Sequence, residues 1–446
     1  MSDDIFGQIA EQLRDRQTGY TNFLNFYNGT QWPTPARRGD RQLVINYAKA
    51  NIEKTTSYLM NEMYVVLDPL TKENTKNAEA AEKELNRIEA DNDCEELDYN
   101  TERDAAIYGD GCYKVTWDIV NRRVRITAPP VGGLALWCDN PNNPTIITQL
   151  ASQYKLPSGD IATELWTDKT FRYYIKNELS RSAPNPYGFI PFIHFPNLRK
   201  PGNLWGESDI ETIKPLQVEY NRAASQVSKI LELSGNPITV IEGVDDAADI
   251  AVKPGEVWTL PEKAKAYLLD LLASGGIKLH MDYIDFLYRS IQDTSETPKS
   301  AFGLTEGGQV TGPVLEIEMQ PLVQKVKRKR RIRTTVYRRR AEIILALLKQ
   351  FKGTHYGAIE PRIAWGDILP NDFTADVANE NILIGKLVHS RKTAMENLGV
   401  EDTDAEFKQA MDERAAILKQ QPPQQNGAKP KGGGDTNVSE STPPAA

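Results

Sequence analysis

The chain has 446 residues, 40% of them hydrophobic and 26% charged, an ordinary globular composition that excludes a wholly disordered or collagen-like chain. Its 53 Lys and Arg against 61 Asp and Glu leave a net charge of -8, which by itself argues against a nucleic-acid binder. That average hides a segregation: residues 325–340 (KVKRKRRIRTTVYRRR) hold ten bases and no acid, so the remainder carries 43 bases against 61 acids, or -18.

No apolar run of about 18 residues or more occurs, so no membrane-spanning helix is expected. The first residues (MSDDIFGQIAEQLRDR) are acidic and polar, unlike a signal peptide. Cys94, Cys112 and Cys138 show no metal-type spacing and read as free thiols in a reducing compartment. His194, His280, His355 and His389 stand apart from one another and from the cysteines, so no zinc site is expected. Phosphate-loop, dinucleotide, nucleophile-elbow and zincin motifs are all missing. No catalytic residue, metal or cofactor is therefore assigned.

Along the chain, Ile5, Ile9, Leu13 and Leu24 predict a first helix, closed by the breakers of NGTQWPTPARRGD. A second helix fits residues 45–62 and a third helical region residues 74–105, very acidic between Glu79 and Asp98. Alternation in CYKVTWDIVNRRVRITAPP, TIITQLAS, TELWTDKTFRYYIKN and FIPFIHFP makes residues 111–197 β-rich, with a turn near Asn121. A helix from Glu207 to about Leu233 follows, with Ile210, Ile213, Leu216, Tyr220, Ala224, Val227 and Leu231 at steps of three or four. Residues 237–276 read as a compact insert, with ITVIEG and EVWTL as strands and KAYLLDLLA as a short helix. The helix 277–294 carries His280, Ile284, Leu287 and Ile291 on one stripe, which makes His280 a packed or interfacial residue rather than a ligand.

The next segment, TSETPKSAFGLTEGGQVTGP, is a glycine-containing loop between two long helices, a placement that favours a functional role. A very long helix from about Val314 to Phe351 should kink at Pro321. A strand or turn lies near Trp365, two short helices fill 375–418 around Gly399, and the tail from Gln420 is disordered by composition.

The basic run lies inside the long helix: Lys325, Lys327, Arg328, Lys329, Arg330, Arg331, Arg333, Arg338, Arg339 and Arg340. At about 100° per residue they cannot share one face. Arg330, Arg333 and Arg340 fall near one side, and Lys327, Arg331 and Arg338 near another. Three readings stay open: a helix that is solvated or paired with the acidic segments, a helix facing a nucleic-acid backbone without reading sequence, or a nuclear localisation run. Tyr337 is the one aromatic among them, which disfavours base stacking.

The order of parts resembles the tailed-bacteriophage portal proteins, in particular the siphophage-type branch. The likeness is carried by NFLNFYNGTQW (Phe26, Tyr27, Gly29, Gln31), the pair Asn46 and Tyr47, Tyr108 and Gly109, the stretch Asn185 to Asn197, and GESDIETIKPLQVEYNRAASQ. In that last piece Gly206, Ser208, Asp209, Ile210, Leu216, Tyr220, Asn221 and Ser225 match.

The resemblance implies a mainly helical α+β subunit of a ring, usually of twelve copies, with wing, stem, clip and crown around a tunnel. On this chain it implies an N-terminal wing region (1–206), a stem helix (207–233), a clip (234–276) and a second stem helix (277–297). A tunnel loop (298–313), a long wing helix with its following strand (314–374), a crown (375–419) and a tail (420–446) complete it. Stem packing would fall to Ile210, Ile213, Tyr220, Val227, Ile284, Leu287 and Ile291. The tunnel loop would present Gly303, Leu304, Thr305, Glu306, Gly307, Gly308, Gln309, Val310 and Thr311.

Implied partners are further copies of the chain, double-stranded DNA, the packaging ATPase (terminase), head-completion or adaptor proteins, and the major capsid and scaffolding proteins, with no membrane. The implied location is the capsid portal vertex of a virion assembled in the host cytoplasm. The competing expectation is a packaging accessory protein that binds DNA through helix 325–340 without forming a ring.

Overall fold

Helix α1 (Ile5–Asn28) opens the chain and lays Ile5, Ile9 and Leu13 on a sheet formed much later. The computed structural model describes residues 5–32, 42–140, 146–235, 239–242, 263, 265–268, 276–304, 312–369, 373–400 and 403–420. Helix α2 (Tyr47–Leu59) is N-capped by Asn46, whose side chain accepts from Lys49 N at 3.0 Å and donates to Tyr27 O at 2.8 Å. The Asn-Tyr pair thus starts one helix and fastens it to the end of another.

Strand β1 (Met63–Pro69) follows, where the sequence pattern assigned nothing. The acidic helical region is two helices, α3 (Thr75–Asp91) and α4 (Cys94–Tyr108), rather than one. The break has a local cause. Asn92 Nδ2 donates to Ile88 O at 2.8 Å and Val124 O at 3.1 Å, its Oδ1 accepts from Ile126 N at 2.9 Å, and Asp93 sits at φ 49°.

Strands β2 (Asp110–Asp118) and β3 (Arg123–Thr127) form the expected hairpin. Next come β4 (Leu134–Cys138), β5 (Ile147–Lys155), β6 (Ile161–Thr167), β7 (Thr170–Ile175) and β8 (Glu178–Pro184). They make one antiparallel meander in that order. Its last turn places Lys176 and Asn177 at φ 51° and 66°, the pattern of a two-residue primed turn. Strand β9 (Phe192–Pro196) joins the other sheet, in the order β3-β2-β9. Lys114 of β2 and Glu164 of β6 link the two sheets at 2.6 Å.

Residues 207–213 are turns and not helix; helix α5 spans Lys214–Gly235. Ser208 Oγ donates to Ile107 O at 2.5 Å and accepts from Ile210 N at 3.1 Å, so its hydroxyl competes with helical pairing there. Strands β10 (Thr239–Glu242) and β11 (Lys265–Leu268) pair antiparallel. KAYL is therefore a strand and not the start of a helix, because its pairing partner lies more than twenty residues away. The expected strand EVWTL lies outside the described residues, with most of the insert.

Helix α6 (Gly276–Ser295) leads through a 3-10 turn (Lys299–Phe302) towards α7 (Gly312–Leu347), which contains Pro321 and ends in a π turn (Leu348–Lys352). Strand β12 (Ile359–Trp365) returns to pair with β1. The largest core forms where Val336, Tyr337, Ile344 and Leu347 of α7 meet Tyr113 and Val115 of β2, Phe195 of β9, and Leu85 and Ile88 of α3. Each such side chain contributes about 1.5–3 kcal/mol on burial.

The chain divides into a unit up to Pro370 and a second unit from Asn371. The second holds three helices where two were expected: α8 (Phe373–Gly385), α9 (Arg391–Asn397) and α10 (Thr403–Gln420). Within it Glu380 bonds His389 Nδ1 at 2.9 Å and Asn397 Nδ2 at 2.8 Å, joining α8 to α9. The tail from residue 421 lies outside the described residues. No helix among the described residues is long and apolar enough to cross a membrane.

Candidate functional site

Two features could carry function: the helix pair α5–α6 and the basic face of α7. In the pair, Tyr220 and Ala223 of α5 pack on Leu287 and Ile291 of α6, with Leu216 and Ile284 alongside. Val227 is buried as well. Ile210 and Ile213 do not belong to this seam. They lie in the turns before α5 and fill a separate core with Phe26, Ile52 and Ile107. Their three-residue spacing imitated a helical stripe.

Helix α6 has a second apolar stripe that no described residue covers. Leu279 is 72% exposed and Phe286 61%, with Tyr283 between them on the same face. Tyr283 and Phe286 stack with ring centroids 6.4 Å apart, and the Tyr283 hydroxyl donates to Glu219 Oε1 of α5 at 3.1 Å. His280 is half-buried, and no group of residues suited to holding a metal occurs among the described residues.

A polar ladder runs along α5. Gln217, Asn221 and Ser225 recur every four residues and bind the extended backbone of residues 43–47. Leu43 N donates to Ser225 Oγ at 2.9 Å, Ile45 N to Asn221 Oδ1 at 3.0 Å and Tyr47 N to Gln217 Oε1 at 3.1 Å, while Gln217 Nε2 donates to Ile45 O at 2.7 Å. The Tyr47 ring lies against Tyr220 and Tyr288, at 5.3 and 4.9 Å. Asn46, Tyr47, Tyr220, Asn221 and Ser225 therefore meet at one joint.

Five of the ten basic residues of α7 are buried: Lys325, Lys329, Arg330, Arg333 and Arg340. Arg340 pairs with Asp98 at 2.5 Å and Glu89 at 3.0 Å. Arg333, 0% exposed, bonds both oxygens of Glu102 and the carbonyls of Pro196 and Asn197 at 2.8–2.9 Å. Arg330 bonds the carbonyls of Tyr58, Leu59 and Asn61 at the end of α2, and Gly366 O, so its charge complements the helix C-terminus. Lys329 and Lys325 share Asp209, at 2.5 and 3.5 Å. On the opposite side Lys327, Arg328, Arg331, Arg338 and Arg339 are exposed. Of these, Arg328 pairs with Glu296 and Arg339 with Glu342, at 2.5 and 2.9 Å.

Burial sets the charge states of this cluster. It pushes Lys329 down to about 8; Asp209 opposes that, and the neighbouring Lys325 and Arg333 add to it. Burial also works against ionised Asp209, but Lys325 and Lys329 overcome it and hold the carboxyl well below the usual range. Burial wins at Glu89, whose carboxyl is raised despite Arg340. No nucleophile–base pair emerges from these groups, because each charge is already engaged in a structural bond.

Of the loop residues, Gly303 ends the 3-10 turn at φ 78° and Leu304 is 57% exposed. Thr305, Glu306, Gly307, Gly308, Gln309, Val310 and Thr311 lie outside the described residues. The loop's root is held: Ala301 packs with Leu59, Met319 and Leu322, and Ser300 bonds Glu318.

The family model for phage portal protein, SPP1 Gp6-like, matches residues 8–420. The chain belongs to this portal protein family. No individual curated protein matches it. The portal match spans α1 to α10 and includes both the α5–α6 pair and the basic helix.

Sequence reasoning missed Glu102 and Asp209 as partners of the basic helix of this portal protein, since both lie outside the acidic stretch Glu79–Asp98. A signal did exist. Asp98 and Glu102 are one helical turn apart, and Arg340 and Arg333 two turns apart on the facing helix.

Proposed function

We propose that this chain is a subunit of the portal ring at one capsid vertex of a tailed phage, where the ring conducts double-stranded DNA during packaging and ejection. On this reading α5 and α6 are the stem and the insert between them is the clip. The segment 298–313 is the tunnel loop and residues 375–419 are the crown. The ring, of about twelve copies, docks the packaging ATPase while the head fills and the head-completion proteins afterwards, without catalysis of its own. The major capsid and scaffolding proteins surround it in the host cytoplasm.

The observation that carries the reading beyond family membership is the uncovered stripe of Leu279, Tyr283 and Phe286. A helix pair sealed on one side and apolar on another needs a neighbour, and a second copy of the same pair supplies one in a closed ring. Burial of half the basic run weighs against the accessory-protein alternative, since a buried guanidinium cannot meet phosphate.

Light scattering and negative-stain images of the purified protein test this. Annular particles are expected, and Leu279→Asp with Phe286→Asp should convert them to single subunits with an unchanged circular-dichroism spectrum. A monomer at every concentration overturns the proposal.

A further inference from the structure

The motif Gly206, Ser208, Asp209 has no obvious surface role, because Ser208 and Asp209 are buried. Its contacts are internal. Asp209 N donates to Ala106 O at 2.9 Å, and Asn197 Nδ2 donates to Asp209 Oδ1 at 3.1 Å. Those bonds fix the carboxylate against α4 and the end of β9. Its other oxygen faces α7, where Lys325 and Lys329 stand one turn apart.

Lys325 does more than pair with Asp209. Its Nζ also donates to Ser295 O, the last residue of α6, at 3.1 Å. One ammonium therefore touches the segment that enters α5 and the end of α6, while its own backbone belongs to α7. The helix pair meets the long helix at both feet through this side chain.

The cluster is also unbalanced. One carboxylate serves two ammoniums, and the next cation, Arg333, is already held by Glu102. A second buried cation beside Lys329 is unfavourable, and the Lys325 charge adds to what loosens the Lys329 proton. Lys329 with Asp209 would remain a matched pair without Lys325. Stability alone does not account for a lysine here, whereas holding two separate chain segments does.

We propose that Lys325 is a positioning strap that sets the lean of the α5–α6 pair on α7, gripping the Asp209 carboxylate on one side and the Ser295 carbonyl on the other. This inference concerns the single chain and does not depend on ring formation or DNA transport.

Lys325→Met in the full-length chain tests it, read by thermal midpoint and by amide hydrogen exchange. The midpoint is expected to hold or rise, while exchange over residues 291–302 quickens by about tenfold or more and exchange in α4 and β9 stays unchanged. The two readouts thus move apart, which a merely structural cation would not produce. A second readout follows from Lys329: relieved of the Lys325 charge, it should lose its proton at a higher pH than in the parent chain. Asp209→Asn serves as the contrast, lowering the midpoint because both ammoniums lose their counter-charge. A lower midpoint for Lys325→Met with exchange raised throughout overturns the proposal, as does unchanged exchange at 291–302.

Discussion

Lys329 is a lysine with 1% of its surface exposed, and burial makes its charge conditional on pH. Its proton is held less tightly in the folded chain than in the unfolded one, about 8 against 10.5. Between those values the unfolded state binds more protons, so stability rises with pH; below about 8 the full penalty is present. The gain across the window is on the order of 2–3 kcal/mol. Denaturant midpoints measured from pH 7.5 to 10 should show the rise, and Lys329→Met should remove it. Asp209 works in the same direction but further down: its carboxyl is depressed, so its contribution is present above the ordinary carboxylate range and is lost on acidification through the folded value. Beside them, Arg333 pairs with Glu102 and Arg340 with Asp98.

At the scale of elements, the helices with a sustained apolar stripe could be read from sequence: α6 through Ile284, Leu287 and Ile291, and α7 through its length. The failures share a cause, which is pairing with distant chain. Strand β1 depends on β12, nearly three hundred residues on, and β11 becomes a strand because β10 lies beside it. Residues 207–213 kept a helical spacing of apolar side chains, yet Ser208 and Asp209 direct the backbone into turns. The basic run was legible as a helix with two unlike sides. Which side was buried was not, because Glu102 and Asp209 come from elsewhere in the chain.

The turn at 206 has a strict steric requirement. A Cβ on Gly206 would lie 2.2 Å from Gly109 O and 2.9 Å from Asn197 N, both backbone atoms that cannot swing aside. Gly206→Ala should therefore cost about 3 kcal/mol or more in urea unfolding. Gly312→Ala meets nothing within 4 Å and should shift the midpoint little.

At the scale of the whole molecule, the proposed DNA conduit makes a testable demand on the distribution of charge. Half of the basic run is consumed internally, and Arg328, Arg338 and Arg339 face acids. Lys327 and Arg331 remain the exposed pair one turn apart. If all ten bases met phosphate, the logarithm of affinity would fall against the logarithm of salt with a slope of about 9; two give about 2. Anisotropy titrations of duplex DNA at several salt concentrations should find the shallow slope, and Lys327→Gln with Arg331→Gln should flatten it further without moving the thermal midpoint. On the proposed conduit reading, a net charge of -8 suits a surface over which DNA would slide without sticking.

The guanidinium forks of α7 have one more consequence, and it is mechanical. Apolar ridges in grooves let a helix roll or slip by a notch at little cost, since one methyl contact replaces another. A planar fork does not, because its bonds point in fixed directions. Arg333 reaches α4 and β9, Arg330 reaches the end of α2, and Arg340 reaches α3 and α4. Three forks at three points along the axis act as keys on a shaft. They resist rotation of α7 about its own axis, so a twist applied at one end is delivered to the other instead of being absorbed between.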